Sequence, residues 1–208
     1  MSGVVTQNIS GNSGLVKAVE AGGGTWVEIK TLTSDGSDAT MSFVNGTSDV
    51  VLDSTYPIYC FKFINIHPAS AALLTFNGSV DTGSNYNVTK TTTHWRVYHN
   101  EAGDDVALTY DAGSDLAQGT GFQDLGHAIK TDNDASGAGF LYLFSPASTT
   151  FVKHFIAQFT VLQNSDYNMN SYITGYLNNT SAVDAIRFAM NTGNIDAGKI
   201  KLFGIKDS

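Results

Sequence analysis

Pro57-Ile58-Tyr59-Cys60-Phe61-Lys62-Phe63-Ile64-Asn65-Ile66-His67-Pro68 is the stretch on which the fold turns. Prolines bound it at both ends, and the residues between are mostly β-branched or aromatic, the types that suit a pleated surface. Apolar residues occupy both alternating sets, which predicts a central strand covered on both faces, the most buried in the chain. Upstream, residues 25–32 alternate Trp26, Glu28 and Lys30 with Val27, Ile29 and Thr31, the period of a half-buried strand. The turn Ser34-Asp35-Gly36-Ser37 and a strand over 39–44 follow, closed by Asn45-Gly46, so a hairpin over 25–44 is expected.

Downstream, strand-like segments recur at 71–76, 86–89, 92–98, 106–110, 140–144, 150–162, 172–177, 185–190 and 199–205. Turns rich in Asn, Asp, Gly and Ser separate them. Helix candidates are limited to single turns near 115–118 and 180–184, where Ser181-x-x-Asp184 has the spacing of a cap. Short strands at close intervals without a long helical period predict an all-β, antiparallel β-sandwich, jelly-roll-like, over residues 25–208. Residues 1–24 end in Gly22-Gly23-Gly24 and offer little to bury, which predicts a flexible N-terminal arm or docking segment.

Eleven Lys and Arg stand against 19 Asp and Glu among 208 residues, a formal charge of -8. That balance argues against a nucleic-acid binder, which needs a basic face. The first residues carry neither the basic nor the apolar region of a secretory signal, and no run approaches the ~20 apolar residues of a membrane helix. Neither export nor membrane insertion is expected. The single cysteine, Cys60, lies in the apolar stretch and reads as an inert buried thiol.

Catalytic constellations are sparse. The five histidines show no i, i+4 pair, and the five-residue separation of His94 and His99 puts them on opposite faces of a strand. No catalytic residue, cofactor or metal is therefore assigned. The Asp residues cluster in turns, where carboxylates commonly cap the backbone. Asp132-Asn133-Asp134-Ala135-Ser136-Gly137 resembles half of a Ca²⁺ loop, but Leu143 stands where the bidentate Glu belongs, so a plain loop is preferred. Trp95, Tyr98 and Tyr110, with Tyr167 and Tyr172 beside them, are candidates for stacking on a sugar. Segment 150–162 places Phe151, Phe155, Ala157, Phe159 and Val161 on one face and Val152, Ile156 and Leu162 on the other. A two-layer sandwich buries one set only, so Phe151, Phe155, Ile156 and Phe159 are candidates for a subunit interface.

Several ordered motifs carry a resemblance. They are Trp26-x-x-Ile29-x-Thr31, Asp53-Ser54-Thr55-Tyr56 with the stretch that follows, and Phe144-Ser145-Pro146-x-Ser148-Thr149-Thr150-Phe151. The closing series is the most specific: Ala185-Ile186-Arg187-Phe188, Gly193-Asn194-Ile195 and Leu202-x-Gly204-Ile205. Together they resemble a recurring module in virion proteins of tailed bacteriophages, particularly those of aquatic hosts, over about residues 25–208. The resemblance implies a non-enzymatic virion structural protein: a capsid decoration, a head fibre or a tail appendage. It further implies assembly in the host cytoplasm, self-association as a homo-oligomer, and other virion proteins as partners. The alternative from a different class is a carbohydrate-binding module that takes a host-surface glycan.

Overall fold

In the computed structural model the described residues, 25–207, form twelve strands and no helix. These are β1 (Trp26–Thr33), β2 (Thr40–Val44), β3 (Ile58–Pro68), β4 (Leu74–Ser79), β5 (Lys90–Asn100), β6 (Val106–Tyr110), β7 (Gln123–Asp124), β8 (Gly137–Phe144), β9 (Lys153–Gln163), β10 (Tyr167–Leu177), β11 (Ala185–Met190) and β12 (Ile195–Ile205). They build an eight-stranded sheet ordered β1-β12-β3-β8-β9-β10-β5-β6 and a four-stranded sheet ordered β2-β11-β4-β7. All pairings are antiparallel, so the architecture is the antiparallel β-sandwich expected. Strands far apart in sequence pair in nested order, β3 with β12 and β4 with β11. The arm expected over 1–24 lies outside the described residues.

The expected hairpin over 25–44 does not form. β1 pairs with β12 and β2 with β11, in different sheets. The link between them is held by β12 instead: Ser34 N–H donates to the Gly198 carbonyl, and Ile195 N–H donates to that of Asp38. The two single-turn helix candidates are loops. Asp184 does not cap its own segment; its carboxylate accepts the Thr82 N–H at 3.0 Å, closing a neighbouring loop.

β3 is central, between β12 and β8. Tyr59, Phe61 and Phe63 point inward and are buried, but among the described residues no third layer covers the outer set: Cys60 is buried, whereas Lys62 and Ile64 are exposed. The core is aromatic. The Phe188 ring on β11 meets Phe61 and Phe63 edge-on at 5.2 and 5.1 Å, with Phe43 at 6.3 Å and Phe76 at 6.4 Å. Edge-to-face rings add dispersion and quadrupole attraction to the transfer of apolar area out of water.

Four strands cannot cover eight. The inward residues of β5 are Lys90, Thr92, His94, Arg96 and Tyr98, a polar row in place of an apolar one. Their roof is the chain 111–131, irregular except for β7, tied to the strand by Asp111 N–H to the His94 carbonyl, Thr92 N–H to the Leu116 carbonyl, and reciprocal bonds between Lys90 and Gly119. Buried polar groups persist only when partnered, and most of this row is. Thr92 Oγ1 reaches Gln123 Oε1 at 2.6 Å, and Lys90 Nζ donates to Asn77 Oδ1 at 2.7 Å.

Candidate functional site

The outer face of the eight-stranded sheet is lined with rings and aliphatic side chains. Cross-strand register places Gln158, Tyr172, Trp95 and Tyr110 in one row and Thr160, Asn170, Val97 and Leu108 in the next. Trp95 and Tyr172 stack at 4.1 Å with their planes 10° apart. β5 lies between β10 and β6, and on the other side of Trp95 from Tyr172 the register places Tyr110. The Tyr110 hydroxyl is hydrogen-bonded to Asp115, which holds its ionisation above the usual tyrosine range.

β6 is the edge strand, and its outward residues Val106, Leu108 and Tyr110 are 64, 69 and 53% exposed. Tyr98 is not part of this surface. It sits on the inner side of β5, edge-on to Tyr167 at 5.5 Å, because it is an odd number of residues from Trp95. At the far end of the same sheet, Lys62 Nζ lies 4.4 Å from the Trp26 ring and 5.1 Å from that of Phe203.

The proposed interface strand divides by the same alternation. Phe155 and Phe159 on β9 are each 1% exposed and belong to the inter-sheet core, which removes both as interface residues. Ile156 faces outward, half exposed, and Phe151 is in the loop before the strand, 72% exposed. The Ca²⁺-like loop does not gather its carboxylates: Asp132 pairs with Lys130 at 2.9 Å, and Leu143 is in the core.

A second cluster lies beneath the sheet, under the roof of β5. His94 comes from β5, Asp111 from the residue after β6 and His127 from the connection after β7. Their ligand atoms all lie within 4.8 Å of one another. His127 Nε2 is 2.8 Å from Asp111 Oδ2, and Arg96 Nη1 reaches the same carboxylate oxygen at 2.7 Å while contacting His127 Nε2. His94 is fully buried; the Ser114 backbone approaches its ring, but neither ring nitrogen reaches full hydrogen-bond geometry with any described group.

Burial holds both imidazoles below the usual histidine range; Arg96 lowers His127 further, while Asp111 opposes the effect at both. Burial would raise Asp111, but Arg96 and His127 outweigh it and hold that carboxyl low. Burial pushes neighbouring Asp124 up to about 6. A cleft of about 260 Å³, lined by Arg96, Tyr98, Asp105, His127 and Tyr167 among others, opens onto the cluster.

Sequence spacing carried no signal for this cluster. Its members are 17 and 16 residues apart, on one strand and two loops. The one available cue is the polar inward row of β5, legible only once the strand's core face is known. Comparison with protein-family models, with curated proteins and with solved structures finds no match to this chain.

Proposed function

We propose that the chain is a non-enzymatic structural protein of a tailed-phage virion, acting as a homo-oligomer in a capsid decoration, fibre or tail appendage. The observation that carries this reading is the apolar outer surface of β5 and β6. An antiparallel sheet with one face in solvent ordinarily reads polar on that face. Here Trp95, Val97, Val106, Leu108 and Tyr110 adjoin one another on the outside. Edge strands are usually protected by Lys, Pro or a bulge. β6, Val-Ala-Leu-Thr-Tyr, has no charge, no proline and an uninterrupted register with β5. An apolar patch on an open edge suits a protein that spends its working life packed against copies of itself or against other particle proteins. The resemblance of residues 25–208 to the virion module supports the same reading.

Location tests the proposal. Mass spectrometry of gradient-purified particles from the source culture should find the chain at a fixed copy number, and antibody should label intact particles at one position. Absence from particles overturns it. Light scattering on the purified full chain reads the surface directly: the wild type should self-associate, and Leu108→Lys should shift it toward monomer with unchanged circular dichroism.

The stacked Trp95–Tyr172 pair, with Tyr110 opposite Trp95 on the exposed edge, favours a second reading, a glycan receptor-binding module. A pyranose stacks on an aromatic face through its C–H surface. A glycan array separates the two: a structural protein binds no sugar, whereas a receptor binder retains a defined set that Trp95→Ala removes.

A further inference from the structure

We propose that His94, Asp111 and His127 form a binding site for one divalent transition-metal ion of the imidazole-preferring class, for which Zn²⁺ is the probe. The inference is independent of the virion reading and rests on three observations.

The first is the donor set. Two imidazoles and a carboxylate are the ligands such ions take, and around a tetrahedral ion with bonds of about 2.0–2.2 Å neighbouring ligand atoms are about 3.3 Å apart. His127 Nε2 and Asp111 Oδ2 are already 2.8 Å apart, and the third ligand atom lies within 4.8 Å. A small side-chain rotation closes the set.

The second observation is His94. This fully buried imidazole makes no hydrogen bond of full geometry, only a loose approach to the Ser114 backbone, so it forfeits much of the hydrogen bonding it had to water in the unfolded chain. Coordination of one nitrogen supplies the missing partner.

The third is the contact that Arg96 makes. His127 Nε2 presents either a lone pair or an N–H, so it cannot accept from Arg96 Nη1 and also donate to Asp111 Oδ2. One edge of that triangle is unmet in either tautomer. With the lone pair on His127 Nε2, two acceptors converge on one cationic nitrogen, a position that attracts positive charge, and Arg96 occupies it as an internal stand-in. Its side chain is 27% exposed, and Asp105 lines the same cleft, so the guanidinium has room and a counter-charge when an ion displaces it. The bound ion would cross-link β5 to both roof loops.

The test is Zn²⁺ titration of chelator-treated full-length protein by calorimetry, with histidine-ring NMR on the same sample. One equivalent should bind, shifting the ring signals of His94 and His127 and leaving His67, His99 and His154 in place. Asp111→Asn and His94→Gln should each weaken binding at least tenfold. Arg96→Met, which removes the competing cation, should tighten it tenfold or more. The ring signals need only wild-type protein, so they decide the matter even if a ligand variant fails to fold. Absence of binding at millimolar Zn²⁺, shifts confined to the surface histidines, or weaker binding by Arg96→Met would each overturn the site.

Discussion

Lys90 is fully buried, and among the described residues its ammonium has only neutral partners: Asn77 Oδ1 at 2.7 Å and the Val88 carbonyl at 2.8 Å. Burial pushes its pKa from 10.5 down to about 7. Between those values the unfolded chain keeps a proton that the folded chain has released, so stability rises with pH. With a folded value near 7, raising the pH from about 7.5 to about 8.5 should add about 1 kcal/mol. Lys153, lowered by the same cause, acts with the same sign. Cys60, pushed up to about 11 by burial, has the opposite sign but begins to act only near the unfolded thiol value of 9.0.

The perturbation is Lys90→Met, which keeps the length of the stem and removes the charge. Asn77 Oδ1 still accepts the Gly78 N–H at 2.9 Å, so the site is not left bare. Urea unfolding followed by tryptophan fluorescence at the two pH values, at constant ionic strength, reads the slope. The wild type should gain about 1 kcal/mol, and the variant should lose most of that dependence. A flat wild-type profile, or a variant that keeps the full slope, refutes the reasoning.

Further outcomes follow from the core. Phe188→Ala removes the ring shared by Phe43, Phe61, Phe63 and Phe76 and should cost about 3–5 kcal/mol, read by the same urea titration. Gly204→Ala would drive a methyl into the Tyr56 ring, which lies against that backbone; a loss of about 1–3 kcal/mol is expected in thermal unfolding. Cys60, fully buried beneath the outer face of β3, should be silent to a thiol reagent until urea unfolds the chain, and reaction at the native rate of an exposed thiol would contradict its placement.

Much of this protein is local information. Alternation of apolar residues and turn chemistry located nearly every strand, and β6 and β11 match the predicted bounds residue for residue. Period-two alternation also separated the faces of β9 correctly, with Phe155 and Phe159 on one side and Ile156 on the other. Strand existence is legible because each pleated segment must satisfy its own backbone and bury one face, and both demands are written in neighbouring residues.

Pairing and layering are not local. A strand accepts any antiparallel neighbour of compatible register, so sequence neighbours β1 and β2 read as a hairpin although long-range contacts with β12 and β11 draw them into different sheets. Which face of β9 meets the core, and hence that Phe155 and Phe159 are lost to any interface, depends on where the second sheet lies. The same holds for Tyr98 against Trp95. Most of all, the meeting of His94, Asp111 and His127 follows from the mismatch of an eight-stranded and a four-stranded sheet. The smaller layer leaves β5 without an apolar cover, polar loops from distant parts of the chain close over it, and only that closure brings the three side chains together.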